Sequence, residues 1–265
     1  MPDLLIVGSL IFLVAVTMTM VGKGGGNFYV VILAMAGISM HTSAATGQFI
    51  LFAASVSAMI IFHKNKSVSW KLALIMGLLT SLSALGGGYF SHLFSGFVLK
   101  MIFSVMLIAA GAVMLVQVRE KQPVAAVSSP GVLRIDSGRQ LYSINMWLVV
   151  PVTILTGFGS GMVGVSGGSF LVPLMVLAAG VPMHMAVGTA STLIAATAFM
   201  GFAGHATRGD FDPSWALPLA AVTIIGGLLG GKFALKTRPK HLKQLFAYTN
   251  WLAAVMMIVN ALMSR

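Results

Sequence analysis

The chain lacks cysteine altogether and has only five acidic residues in a length of 265. Without cysteine, a disulfide framework and a thiolate metal site are both excluded. Charged residues make up 8% of the chain, whereas hydrophobic residues make up 58% and the mean hydropathy is +0.97. So few polar side chains do not cover the surface of a soluble globule. The composition therefore indicates an integral membrane protein.

The few acidic residues are also kept away from the apolar segments. All of them fall in predicted loops or near the N-terminus: Asp3, Glu120, Asp136, Asp210 and Asp212. A carboxylate proton relay inside the membrane is not expected, because such relays use acidic residues within spanning segments. The sequence predicts no cofactor and no metal site.

The basic residues give the chain a formal net charge of +11. They cluster in the connections at residues 64–71, 119–139 and 236–243, whereas the alternating connections are poor in lysine and arginine. Short loops rich in these residues stay on the cytoplasmic side of a membrane. The charge is thus a topology signal rather than a nucleic-acid-binding patch, and it predicts that both termini lie outside.

Apolar runs of about 17 to 25 residues are long enough to cross about 30 Å of hydrocarbon. Eight such runs are present, at residues 4–21, 42–62, 72–90, 97–118, 147–163, 187–206, 215–233 and 245–263. Two further runs, at 28–36 and 170–179, are only nine and ten residues long. At about 1.5 Å per residue each spans about 15 Å, so we interpret them as half-helices.

Both half-helices follow a glycine cluster, and the surrounding segments are copies of one pattern. Residues 22–48 match residues 164–191, with 25–28 (Gly-Gly-Asn-Phe) aligned on 167–170 (Gly-Gly-Ser-Phe). The chain therefore reads as an internal duplication.

The duplication sets the predicted organisation. Residues 1–118 form repeat 1, 119–146 form a cytoplasmic linker and 147–265 form repeat 2. The linker is rich in proline, serine and glycine, which predicts a solvated tether. Each repeat makes an odd number of crossings, so the two are expected in opposite orientations. The predicted fold is an all-α membrane protein with two inverted-topology repeats, about eight full transmembrane helices and two short half-helices.

A half-helix that begins inside the bilayer exposes its first backbone N–H groups and the positive end of its dipole. Glycine lets another group approach that end closely, and Asn27 and Ser169 supply side chains for capping or binding. If the half-helices enter from opposite faces, their N-termini meet near the midplane and form a cavity for an anion. The candidate substrate-binding residues are Gly24, Gly25, Gly26, Asn27, Phe28, Thr46, Gln48, Ser166, Gly167, Gly168, Ser169, Phe170, Thr189 and Ser191.

Each of these features also has a purely structural interpretation. Glycine clusters in membrane helices often serve close packing, and serine or threonine hydroxyls often bond their own helix backbone. The matched placement of Thr46 and Thr189 in both repeats favours a role beyond that. The repeat-equivalent His41 and His184 are interpreted as interfacial residues, with proton coupling as the alternative. Lys23, which has no counterpart in repeat 2, either attracts an anion or extends to the interface.

The chain has Gly-x-Gly-Gly-Gly before a short apolar run, then Gly-Val-Pro and a helix that opens Ala-Val-Gly-Thr. This pattern resembles that of the TauE/SafE family of membrane transporters, and with the duplicate the resemblance covers nearly the whole chain. It implies export of small sulfur-containing anions, such as sulfite, sulfonates or sulfoacetate, across a bacterial inner membrane. Ser166 replaces a glycine of the second cluster, Val31 matches Pro173, and Gln48 matches Ser191. These departures adjoin the predicted cavity and bear on substrate choice.

The sequence therefore predicts a secondary transporter, not an enzyme, that exports such an anion by alternating access. An inside-negative potential drives an anion outward by about 2.3 kcal/mol per charge per 100 mV. A passive anion channel shares every sequence feature and stays open as an alternative. An intramembrane serine protease is a weaker one: residues 164–167 read G-x-S-G around Ser166, and His205 is available as the base. The expected partners are a small anion and the lipid bilayer, and formation of a homodimer is left open.

Overall fold

The computed structural model describes residues 4–115, 131–136 and 141–263, and nearly all of its elements are helices. The first half contains α1 (Leu4–Met20), α2 (Gly26–Met35), α3 (Met40–Lys64), α4 (Trp70–Phe90) and α5 (Gly96–Leu115). The second half contains α6 (Met146–Val163), α7 (Gly168–Pro173), α8 (Met183–Ala206), α9 (Pro213–Lys236) and α10 (Pro239–Met263). The same succession of one long, one short and three long helices thus occurs twice.

Six of the described helices are long and apolar enough to cross a membrane, namely α3, α4, α6, α8, α9 and α10. This number makes the chain a multi-pass membrane protein. The remaining long helices are α1, with 17 residues, and α5, with 20 residues. Both coincide with apolar runs expected to span, and the count of eight spans stays a prediction for these two.

The two half-helices expected from the sequence are present. Helix α2 has 10 residues, or about 15 Å. It starts after Gly25, whose φ of +99° is one that residues with a Cβ rarely adopt. Helix α7 ends at Pro173 and continues as a π-helical turn over Leu174–Ala178. Proline has no N–H to donate to the helix, which favours such a change of hydrogen bonding at this point.

The packing of the helices is symmetric between the halves. Helix α3 packs against α9 as α8 packs against α4, and α1 packs against α9 as α6 packs against α4. The short helices follow the same rule, since α2 contacts α3 and α10 while α7 contacts α8 and α5. The pairs α3–α8 and α5–α10 join equivalent helices directly. The halves are therefore intertwined rather than laid side by side.

Glycine makes the close helix pairs possible. A Cβ on Gly157 of α6 would lie 2.5 Å from the Thr80 carbonyl oxygen of α4, and one on Gly161 would overlap the Ala84 carbonyl. Small residues at such spacing let helix backbones approach in a membrane, where packing rather than water drives association. The packing interpretation of glycine therefore applies to this interface.

A β-hairpin lies in the linker, which the sequence reasoning treated as a tether without structure. Strand β1 (Val132–Asp136) pairs antiparallel with β2 (Leu141–Asn145). Residues 142–145 read Tyr-Ser-Ile-Asn, whose alternation of non-polar and polar residues is typical of a strand. The overall composition of the linker does not reveal this short pattern. Residues 116–130 and 137–140 of the linker lie outside the described part of the chain.

The α4–α6 contact gives a test of the packing. Replacing Gly157→Ala places a methyl group against the Thr80 carbonyl, and we expect a loss of about 1–3 kcal/mol of stability. The measurement is the thermal unfolding temperature of the purified protein in detergent. The matched control is Gly86→Ala in α4, where a Cβ has no neighbour within 4 Å. Equal unfolding temperatures for the two variants would show that this contact does not limit helix packing.

Candidate functional site

The breaks between long and short helices of the two halves lie against each other. The first break joins α1 to α2 and the second joins α6 to α7. A Cβ on Gly26 would lie 2.9 Å from the backbone nitrogen of Ser166, and one on Gly168 would lie 2.5 Å from the carbonyl oxygen of Gly22. Any larger side chain at Gly26 or Gly168 would push the two breaks apart.

Side chains at the starts of the short helices also meet. The Asn27 Nδ2 donates to the Ser169 Oγ at 2.8 Å, and the Ser166 Oγ donates to the Asn27 Oδ1 at 3.4 Å. All three residues are buried. The N-termini of the two short helices therefore lie together, as the duplicated pattern suggested, although anion binding by these residues stays a prediction.

Lys23 enters this junction from the first break and is only 1% exposed. Its Nζ donates to the Phe246 carbonyl at 2.5 Å, to the Thr249 Oγ1 at 2.9 Å and to the Asn250 Oδ1 at 2.7 Å, and it lies 4.0 Å from the centre of the Phe246 ring. In the part of the chain that the structure describes, no carboxylate pairs with it. A buried ammonium without a counter-charge is costly even when hydrogen-bonded. As an ammonium, Lys23 would give the junction an uncompensated positive charge.

The Asn250 side chain is the point on which these donors converge. Its Oδ1 accepts from the Lys23 Nζ at 2.7 Å, from the Ser169 Oγ at 3.2 Å and from the Asn27 Nδ2 at 3.4 Å. Its Nδ2 is buried and has no hydrogen-bond partner among the described residues. Donors from both halves of the chain thus surround a single amide oxygen atom.

A small cavity of about 10 Å³ adjoins the junction. Its lining consists of Asn27, Met106, Leu107, Thr156, Ser160, Val165, Ser166, Gly167, Ser169 and Phe170. This volume is close to the minimum for a single water molecule. The described conformation is therefore closed to a polyatomic anion at this place.

The other candidate residues near the first break have mainly packing contacts. Gly24 has a φ of +66°, and a Cβ there would lie 2.6 Å from a methyl group of Leu51 and 2.8 Å from the Ser55 Oγ. Gly25 precedes the first residue of α2 without a side-chain cap. Phe28 is buried in the hydrophobic core.

The candidate residues with hydroxyl or amide side chains on α3 and α8 do not share one location. Gln48 lies near the second break, where its Nε2 donates to the Ser160 carbonyl at 2.9 Å. The Thr46 Oγ1 is buried without a hydrogen-bond partner in the described residues. Thr189 accepts from the Ser69 backbone N–H at 2.9 Å, so it fastens the α3–α4 connection. Ser191 bonds its own helix at Val187.

Two residues of the junction, Thr249 and Asn250, were missed by the sequence reasoning. They belong to α10, which has no glycine cluster and lies more than 220 residues from Lys23 in the chain. Asn250 does interrupt an apolar run predicted to span the membrane. An uncharged polar residue in that position is the signal that would have found it.

The serine-protease alternative requires Ser166 and His205 to be hydrogen-bonded. The Ser166 Oγ instead points to Asn27, and the His205 Nε2 faces the Gly161 carbonyl at 2.9 Å. The His205 Nδ1 lies 3.4 Å from the Ser91 Oγ. The structure therefore gives this pair no nucleophile–base geometry.

Comparison with known families decides the class of the protein. The family model for the sulfite exporter TauE/SafE matches residues 7–257. The chain belongs to the TauE/SafE family. The resemblance seen in the glycine motifs is thereby confirmed, and the chain is a membrane transporter of this family.

Relatives of this TauE/SafE protein carry general names. A probable membrane transporter protein of Bacillus subtilis, YunE, is 24% identical over 207 residues, covering 77% of this chain and 75% of its own length. One from Methanocaldococcus jannaschii is 25% identical and covers 92% of this chain and 90% of its own. One from Xylella fastidiosa is 28% identical over 83% of this chain and 81% of its own. No solved structure matches the chain.

The convergence on Asn250 can be tested in the TauE/SafE protein by stability. In Asn250→Ala, the Lys23 ammonium loses an acceptor, and we expect a loss of about 1.5–3 kcal/mol, the range for hydrogen bonds to charged groups. Unfolding in detergent, followed by tryptophan fluorescence, measures it. Asn260→Ala on the same helix is the control, because the Asn260 Oδ1 has no partner in the described structure. An equal loss in both variants would contradict a special role for Asn250.

Proposed function

We propose that this TauE/SafE transporter exports a small sulfur-containing anion, of the sulfite, sulfonate or sulfoacetate type, by alternating access. The observation that carries the proposal is Lys23, a buried side chain at the junction of the two helix breaks that has no carboxylate partner among the described residues. An anion bound beside an ammonium there supplies the missing counter-charge.

The chemistry of the surrounding donors suits an oxyanion. Asn27 and Ser169 offer an N–H and an O–H from the starts of the two short helices, and the Asn250 Nδ2 offers a buried N–H that has no partner in the described part of the chain. In the closed conformation the Asn250 Oδ1 accepts from the donors that an anion oxygen would use. Substrate binding then exchanges one oxygen for another at the same donors, with little change in the number of hydrogen bonds.

Contacts at the two ends of the helix bundle support the inverted arrangement of the repeats. At one end, the ring of His41, in the first turn of α3, stacks on His92, which follows α4. His92 in turn contacts Asp210, which follows α8. At the other end, Thr189 near the start of α8 contacts Ser69 at the start of α4. Equivalent helices α3 and α8 accordingly run in opposite directions, as alternating access by inverted repeats requires.

The orientation in the membrane follows from the distribution of charge. The basic connections after α3 and α9 lie at the end marked by the Ser69–Thr189 contact and by the hydrogen bond between His184 and the Thr237 carbonyl. We assign this end to the cytoplasm of a bacterial cell by the positive-inside rule. An inside-negative potential then favours outward movement of the anion.

The motion is a rocking of one half against the other about the junction. Because the breaks touch through glycine and small polar residues, a modest separation of α2 from α7 opens the cavity beside Asn27. Saturable counterflow in proteoliposomes is the signature of this mechanism, whereas a passive anion channel produces unitary currents.

Removal of the buried charge tests the proposal. In Lys23→Met, we expect sulfite or sulfoacetate flux in proteoliposomes to fall at least about tenfold, since a charge-assisted hydrogen bond is worth about 1.5–3 kcal/mol. The unfolding temperature is expected to stay level or rise, because loss of a buried unpaired charge removes a desolvation cost. Flux and unfolding are measured on the same preparation.

The matched control for this experiment is Lys71→Met, which removes an exposed lysine from the first turn of α4. Its flux is expected to equal that of the wild type. Undiminished flux in Lys23→Met would refute the role of the ammonium. A wild-type protein that moves none of sulfite, sulfonates or sulfoacetate would refute the substrate class.

A further inference from the structure

A second polar cluster lies at the end of the bundle opposite the basic connections. It consists of His41 in the first turn of α3, His92 just after α4, and Asp210 between α8 and α9. Each residue offers one ligand atom, and these atoms all lie within 4.8 Å of one another. The cluster draws on both halves of the chain and is separate from the Lys23 junction.

The spacing of these groups is close to that of a metal site. The His92 Nε2 lies 2.8 Å from the Asp210 Oδ2, and the His41 and His92 rings are stacked with centroids 4.4 Å apart and planes 3° from parallel. Metal–ligand bonds of about 2.0–2.2 Å in a tetrahedral zinc site place ligand atoms roughly 3.3 Å apart. The His92 side chain, which is 39% exposed and stacked on His41 here, must rotate for the three ligand atoms to face one ion.

An unpaired buried nitrogen is an independent indication of a ligand. The His41 Nδ1 is buried and has no hydrogen-bond partner among the described residues. Burial of such a group without a partner is unfavourable. A metal ion would be a partner for the lone pair of this imidazole nitrogen.

The Asp210 carboxylate is also contacted by His205. The fully buried His205 lies with its Nδ1 3.5 Å from the Asp210 Oδ2, and its Nε2 donates to the Gly161 carbonyl at 2.9 Å. Outer groups of this kind orient and charge the ligands of metal sites.

We propose that His41, His92 and Asp210 bind one divalent transition-metal ion, of the zinc type, at the face opposite the basic connections. Two imidazoles and a carboxylate favour such an ion over magnesium or calcium, which prefer oxygen ligands throughout. The fourth position is left to water, since the His92 side chain is 39% exposed and solvent reaches the cluster. A bound ion ties the start of α3 to the α8–α9 connection and so fastens the two halves together at this end.

Zinc binding to the purified full-length protein tests the proposal without any transport assay. We expect one zinc ion per chain by isothermal titration calorimetry and a rise in unfolding temperature on addition of zinc. In His92→Gln and in His41→Gln the zinc affinity is expected to fall at least tenfold and the rise to disappear. His241→Gln, which changes an exposed histidine of α10 outside the cluster, is the control and is expected to bind zinc like the wild type.

Cobalt provides a spectroscopic check on the ligands. Cobalt added to the wild type is expected to give visible absorption bands of a four- or five-coordinate site, and these bands are expected to be absent in Asp210→Asn. The unfolding temperature of each variant without metal shows that it is folded. Failure of the wild type to bind zinc stoichiometrically, or equal affinity in folded His41→Gln and His92→Gln, would overturn the proposal and leave the anion-transport proposal untouched.

Discussion

The contact between the two helix breaks is the constraint on which the rest of the structure depends. Inside a membrane, backbone that leaves the helical conformation must be covered by other protein groups, because lipid offers no hydrogen bonds. Here each break covers the other, with Gly26 against Ser166 and Gly168 against Gly22. Because the pattern is duplicated, one sequence motif supplies both of the surfaces that cover the non-helical backbone.

The two copies of the duplicated pattern differ in charge at one position of the candidate site. The position of Lys23 in the first break corresponds to Val165 in the second. Two ammonium groups at one buried junction would repel each other strongly, whereas one can be supported by Phe246, Thr249 and Asn250. The asymmetry leaves a single lysine among the neutral donors of the two copies.

The protein has two polar clusters, one at the junction of the helix breaks and one at an end of the helix bundle. The junction of Lys23, Asn27 and Asn250 lies where the breaks meet, and the cluster of His41, His92 and Asp210 joins the halves at one end. Both draw on residues from each half. Any rocking of one half against the other therefore changes the distances within both clusters, which gives the end cluster a means of restraining motion at the junction.

The sequence by itself determined the membrane class, the family, the short helices and the equivalence of Asn27 and Ser169 in the two copies, because hydropathy, periodicity and a repeated motif are recorded locally along the chain. Only the tertiary structure decided that Asn250 completes the junction and that Thr189 serves the α3–α4 connection instead. It also brought His41, His92 and Asp210 together. These contacts join segments separated by up to 227 residues, and packing between helices, which no local pattern encodes, sets which faces meet.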